Sequence, residues 1–238
     1  MNRLNKAFRV LNDLHDGLIV MAVIAAIIIS GYSLYDIWYI FQHTADRQLI
    51  NFTPDSPAEE WARLPVGDDM VGWIYFEDTG INFPVMQGEN NLTYLNKDPN
   101  GSFSLSGSIF LDSRNSPDFT DEYSLVYGHH MEYGKMFGTL DRYLDSSYAS
   151  EHRDGTLVIG RDGRQRCGLR VFAVLRAQAE ELAAFNVENP AEAREYILSH
   201  ALIKLGVPGR HILALSTCDG ENDSMRIVVA CSYDGTGA

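Results

Sequence analysis

Residues 211–231 read HILALSTCDGENDSMRIVVAC. Two apolar runs, 211–216 and 226–231, bracket an acidic stretch with a glycine, the pattern of two short strands and a tight connection. The first run ends in Ser216, Thr217 and Cys218, so a thiol stands where a buried strand meets a turn, rigidly held yet reachable. The second opens with Arg226. Paired as a hairpin, the two strands return that guanidinium beside the thiol. The structural alternative for Arg226 is an ion pair with the acids of residues 219–223.

Working upstream, short β-rich runs recur between turn residues at 71–76, 81–86, 106–111, 124–127, 156–159 and 169–175. With 211–216 and 226–231 they make eight short strands in one domain, which predicts a mainly β fold: a closed barrel or a sandwich. Helical patterns interrupt them at 91–96, 134–144 and 190–204. Pro190, followed by Ala-Glu-Ala-Arg-Glu-Tyr-Ile-Leu, marks the clearest helix start, because proline suits the first turn. Residues 41–66 read as a polar, partly helical lead-in, with acids before Trp61 suited to a cap and first turn.

The amino-terminal part differs. Residues 17–34, GLIVMAVIAAIIISGYSL, run 18 positions without a charge. At about 1.5 Å per residue this run nearly crosses a hydrocarbon core of about 30 Å, so a transmembrane helix is expected. A buried core helix would keep one polar face, and none is present. A cleaved signal peptide is the alternative, with Ile29-Ser30-Gly31 as its site. Tyr32, Tyr35, Trp38 and Tyr39 suit a membrane interface. Arg3, Lys6 and Arg9 precede the run and predict a single pass with the amino terminus cytoplasmic and the remainder outside the cell. The expected organisation is a cytoplasmic segment 1–16, an anchor 17–40, a lead-in 41–66 and a barrel 67–238.

The chain has 238 residues, 45% of them hydrophobic, and a formal charge of -13. That excludes a collagen-like or largely disordered protein. Residues 1–40 hold three basic and three acidic groups, so the whole imbalance belongs to the rest. An acidic domain argues against nucleic acid, whose phosphates need clustered Lys and Arg. Three cysteines cannot form a closed disulfide framework.

Few residues remain that can do chemistry. No P-loop, dinucleotide fingerprint or nucleophile elbow is present. Cys167 and Cys231 lie in or beside apolar runs and read as small core residues. Cys218 alone has the setting of a nucleophile, and a nucleophilic thiol needs a base or cation nearby. The best histidine stands in Leu125-Val-Tyr-Gly-His-His-Met131, another strand running into a glycine turn, where Gly128 permits close backbone approach and His129 can face a cleft. His130 is its neighbour and reads as a supporting residue. In extended chain the two imidazoles face opposite ways, which disfavours a shared metal ion, and no metal site is expected. Asp112 and Arg114 read as a structural ion pair near the site.

These segments together resemble the sortase family, and class B sortases in particular. Leu-Ser-Thr-Cys at 215–218 followed by Arg-Ile-Val-Val-Ala at 226–230 resembles the family's nucleophile and arginine strands. Tyr-Gly-His-His-Met at 127–131 resembles its histidine motif. Asn90-Asn-Leu-Thr-Tyr-Leu95 and Gly107-Ser-Ile-Phe-Leu-Asp-Ser-Arg-Asn115 are similar to a class B stretch upstream. The resemblance covers residues 60–233. It implies an eight-stranded barrel with amino-terminal helices and an extra helix between strands six and seven, where 190–204 falls. It implies a cysteine transpeptidase of the thiol-peptidase class. Such an enzyme cleaves a carboxyl-terminal sorting signal after Thr through a thioester, then passes the protein to a peptidoglycan amine. The partners implied are a surface protein with a sorting signal, the peptidoglycan acceptor and a Gram-positive-type membrane. No cofactor is called for. By resemblance, Cys218 is the nucleophile, His129 the acid and base, and Arg226 the oxyanion and substrate donor, while Asn91, Leu95, Ser216 and Thr217 line the groove. The position two after the nucleophile, an acid in some relatives, is Gly220 here, so no triad is assigned. A class B pilin polymerase is one alternative. Another is a different cell-wall cysteine peptidase or an L,D-transpeptidase, whose Ser-x-Gly-Cys-x-Arg pattern is not met, because Arg226 lies too far from Cys218.

Overall fold

Alternation along the strands decides the architecture. On the strand that carries Cys218, Leu213 and Leu215 pack into one buried cluster while Ile212 and Ala214 pack into another. A strand apolar on both faces needs cover on both sides, and a closed barrel with helices outside supplies it. The computed structural model describes residues 2–43, 52–131, 134–218 and 224–234.

The chain divides into two compact units, residues 1–43 and 44–238. The first is one helix, α1 (Asn2–His43). Its stretch Asp13–Tyr35 is 23 residues long, apolar enough and long enough to cross a membrane, with none of it buried. The helix runs to His43, three residues past the anchor boundary expected from sequence.

The second unit opens with a lead-in holding α2 (Ala58–Trp61). Eleven strands follow among the described residues: β1 (Met70–Phe76), β2 (Ile81–Met86), β3 (Ile109–Leu111), β4 (Tyr123–Tyr127), β5 (His130–Met131), β6 (Lys135–Met136), β7 (Asp154–Ile159), β8 (Gln165–Gln178), β9 (Ile203–Lys204), β10 (His211–Cys218) and β11 (Met225–Tyr233). Hydrogen bonding runs β1–β2–β3–β4–β10–β11–β8–β7 and back to β1. That is an eight-stranded closed barrel, with β9 as a short addition to β8. Two pairings are parallel, β2 with β3 and β10 with β4. The eight barrel strands are those read from the sequence.

Ile74, Phe76, Val85, Leu111, Val126, Leu157, Val174, Leu215, Ile227 and Val229 fill the interior. Two helices follow the barrel's course, α3 (Ser146–Glu151) and α4 (Pro190–His200). The second lies between the sixth and seventh barrel strands. Asn189 caps it by accepting from Glu192 N, and Pro190 sits in its first turn. Four residues apart, Ala193 and Ile197 lie on one helical face and cover the outer side of the barrel beside Ile212, Ala214, Val228 and Ala230.

The helix expected at 91–96 is a series of turns. A helix would use the carbonyls of Tyr94 and Leu95 internally. Tertiary partners take them instead: Ser108 N bonds to Tyr94 O at 3.0 Å, and the His129 ring bonds to Leu95 O. The pattern at 134–144 divides into β6 and a 3-10 helix, Phe137–Leu144, because Lys135 and Met136 pair back with Met131 and His130.

Candidate active site

The β10–β11 register sets Cys218 directly opposite Arg226. Opposed residues of an antiparallel ladder share a face. Counting by twos along β10, Ile212, Ala214 and Ser216 lie on the outer side of the barrel. Arg226 shares it with Val228 and Ala230 by the same count. Arg226 is half-buried, and its Nη1 donates to Met225 O at 3.1 Å. The residues 219–223, proposed from sequence as its ion-pair partners and including Gly220, lie outside the described residues.

The histidine arrives from β4. Parallel pairing puts Tyr127 beside Ser216, and Gly128 N donates to Ser216 O at 3.1 Å. His129 follows that bond by one residue, just beyond the end of β4. Gly128 is required here: a Cβ would come within 2.7 Å of the Phe137 ring and closer to Ile109. Phe137 N donates to His129 O at 3.0 Å, which fixes the backbone on its far side. The His129 side chain is half-buried and its Nε2 lies 2.8 Å from Leu95 O. A carbonyl can only accept, so Nε2 donates and carries a proton. His130 faces the other way and donates from Nε2 to Asp141 Oδ2 at 2.7 Å. Nothing in the local sequence marks Asp141, eleven residues on, as that partner.

Behind the strand ends lies a buried carboxylate. Asp112 is 0% exposed. Its Oδ1 accepts from Arg114 N at 3.0 Å and Arg114 Nε at 2.9 Å. Its Oδ2 accepts from Arg114 Nη2 at 2.9 Å, Asn91 Nδ2 at 3.0 Å and the Tyr127 hydroxyl at 3.2 Å. Burial pushes the carboxyl up, but the hydrogen bonds from Arg114 and Asn91 outweigh it and hold Asp112 below the ordinary carboxylate range. Burial also pushes the Tyr127 phenol up, and Asp112 adds to this. The charges of Arg114 and Arg226 pull the other way, so Arg226 acts on the same phenol. Tyr127 was not among the site residues read from sequence, where it passes for one more strand aromatic.

The four groove candidates fare differently. Leu95 is half-buried and offers its carbonyl to His129. Asn91 spends both polar ends on the protein, donating to Asp112 and accepting from Ser113 N at 2.7 Å. Ser216 is on the outer face but 1% exposed, and Thr217 is 2% exposed. Strand alternation turns Thr217 to the inner side with Leu213 and Leu215, so its side chain cannot line an outer groove. Cys167 and Cys231 are free and buried in the inner cluster, and burial pushes both thiols up. Among the described residues no cluster of His, Cys, Asp and Glu could hold a metal ion.

The family model of the sortase domain matches residues 74–234. The chain belongs to the sortase family. Two curated relatives are sortase B of Listeria monocytogenes, 30% identical over 164 residues, and sortase B of Staphylococcus aureus, 30% identical over 175. These alignments span 65% and 69% of this chain, and 65% and 70% of the relatives' own lengths. Among solved structures, a class B sortase of Streptococcus pyogenes involved in pilus biogenesis matches with TM-score 0.67 and 30% identity, over 76% of this chain and all of that one. S. aureus sortase B matches with TM-score 0.63 and 27% identity, over 75% and 87%. The sortase relatives are thus class B members, and the closed eight-stranded barrel with its helix before β10 is their fold.

Proposed function

We propose that this sortase is a membrane-anchored transpeptidase that cleaves a carboxyl-terminal sorting signal after Thr and joins the protein to a cell-wall amine. The observation that carries the reading is the pairing of Cys218 with Arg226 at the strand end to which the His129 turn is bonded through Gly128 and Ser216. A solved complex of S. aureus sortase B with a substrate supports a peptide as the first reactant.

In this reading the Cys218 thiolate attacks the scissile Thr carbonyl carbon. The C–N bond breaks, and His129, acting as the imidazolium, gives its Nε2 proton to the departing amine and is left neutral. A thioester remains. The acceptor amine then attacks the thioester carbon, loses a proton to His129, and the thiolate leaves. The Arg226 guanidinium donates to the oxyanion in both steps, and the loss of one such donor costs about 10²–10³ in rate. The His129 bond to Leu95 O keeps that proton on Nε2 and must be exchanged for the leaving group. Leu95, Ser216 and Thr217 border the groove, Thr217 through its backbone, and Asn91 stands behind it, bonded to Asp112 and Ser113.

We assign residues 1–16 to the cytoplasm, 17–40 to the membrane, 41–66 to a lead-in and 67–238 to an extracellular catalytic domain. The length and exposed apolar surface of Asp13–Tyr35 and the preceding Arg3, Lys6 and Arg9 support this orientation. Acceptor choice separates two forms of the function, a peptidoglycan amine or a pilin lysine, and the S. pyogenes relative involved in pilus biogenesis keeps the second open.

The test is mass spectrometry of the protein incubated with a small library of Thr-containing sorting peptides. A thioester adduct on Cys218, absent in Cys218→Ala, is expected. No adduct with any peptide refutes the transpeptidase reading.

A further inference from the structure

Asp112 does more than satisfy Arg114. Five donors converge on one buried carboxylate, and they come from three separate pieces of chain: Asn91 in the turn segment 91–96, the Arg114 side chain and backbone, and Tyr127 at the end of β4. Its own main chain is pinned as well. Asp112 N donates to Leu125 O at 2.8 Å, and Gln87 Nε2 donates to Asp112 O at 3.0 Å.

Two of the branches lead to His129. Asn91 belongs to the segment that ends in Leu95, whose carbonyl receives the His129 proton. The other end of Asn91 is tied to Ser113 N, so the amide is a strut between two loops with no polar atom left over. Gly107 reinforces the same segment. It holds φ at +59°, and a Cβ there would strike Leu95 O and lie 2.8 Å from Tyr94 O. Tyr127 carries the second branch: its hydroxyl is held on Asp112, and it stands beside Ser216 at the end of β4, directly before the Gly128–Ser216 bond from which His129 follows. Arg114 carries a third. Its Nη2 also donates to Phe185 O at 3.2 Å, in the 3-10 turn Ala183–Phe185 ahead of α4.

We propose that Asp112 is a positioning residue for the thioester chemistry, acting on His129 through Asn91 and Leu95 and through the Tyr127 strand end. The proposal rests on the transpeptidase reading above, and it recasts Asn91 as part of the enzyme's frame instead of a contact to the sorting signal. A displacement of about 1 Å in such a frame is enough to cost about 10² in rate.

Two variants test it in the full-length protein. Asp112→Asn turns one acceptor into a donor facing Asn91, Arg114 and Tyr127. Asn91→Ala removes one strut, is only half-buried, and leaves the Asp112–Arg114 pair in place, so it keeps the test alive if the first variant does not fold. The measurements are the nuclear magnetic resonance titration of the His129 ring in the peptide-free protein and kcat and KM for sorting-peptide cleavage. The expected result is a displaced His129 titration midpoint in both variants, with kcat down about tenfold or more and KM nearly constant. A substrate contact cannot move a titration recorded without substrate. A raised KM with unchanged kcat and an unchanged His129 midpoint therefore overturns the proposal, as does wild-type behaviour of folded Asn91→Ala. If the wild type forms no acyl-enzyme but the midpoints shift, the transpeptidase reading fails and the positioning role stands.

Discussion

Single residues carry much of the site, and the glycines show why. Gly107 is left-handed, and a Cβ on it would strike the Leu95 carbonyl. Gly107→Ala therefore strains the backbone and pushes the acceptor away from His129. The expected cost is about 1–3 kcal/mol in urea unfolding, with a loss of acyl-enzyme formation larger than that loss of stability implies. The thiols separate in the same way. Cys231 is 0% exposed, and burial pushes both it and Cys167 up, away from the reactive thiolate. Iodoacetamide treatment of the folded protein should give one adduct, on Cys218, by mass spectrometry; modification of Cys231 under the same conditions contradicts the argument. At this scale the sequence was informative where chemistry and position coincide, as at Cys218. It was silent on Asp141 and Tyr127, whose roles depend on partners 11 and 15 residues away.

Elements were legible to the extent that their hydrogen bonds are local or strictly alternating. The eight barrel strands follow from their apolar runs. The segment 91–96 does not follow from its helical pattern, because the Ser108 amide and the His129 ring claim the carbonyls a helix needs. The lead-in is held by a different device. Phe52 and Trp61 lie at 4.7 Å between ring centres, and Phe52 and Trp73 at the same distance. Trp73 Nε1 donates to Asn82 Oδ1 at 2.7 Å, and Asn82 Nδ2 donates to Phe52 O at 2.6 Å. This aromatic clasp packs the lead-in against the outer side of the barrel, with Trp73, Met86, Phe110 and Val158. Trp61→Ala should cost about 3–5 kcal/mol in denaturant unfolding. Trp61→Phe should cost less, since the indole N–H has no partner among the described residues and its loss removes a buried unpaired donor.

For the whole domain, pH dependence follows from the buried carboxylate. Asp112 is held below its ordinary value in the folded protein, so it binds its proton more readily when unfolded. Its contribution to stability is present above the unfolded value of about 3.9 and is lost as pH falls through the folded value. The stability difference between wild type and Asp112→Asn, read by urea unfolding, should therefore be full at neutral pH and shrink as pH drops below about 4. A difference that stays constant or grows on acidification contradicts the assignment. Arg114 shares in this, because its guanidinium loses its charge partner as Asp112 protonates.

The sequence by itself determined the apolar helix, the eight strands and the one cysteine set at a strand end. These depend on runs and periods of residue type, which are properties of the chain read in order. Closure of the barrel, the bond from Gly128 to Ser216 that brings the His129 turn to the end of β10, and the use of Asp112 to join Asn91, Arg114 and Tyr127 were decided only by tertiary structure. The physical reason is register. Parallel pairing of β10 with β4 joins segments some 90 residues apart, and no local pattern specifies which residues of two apolar strands stand side by side. Packing on both faces of β10 makes that choice. It sets Leu213 and Leu215 inward, leaves Ile212 and Ala214 for α4 to cover, and so fixes the register in which Cys218 stands opposite Arg226.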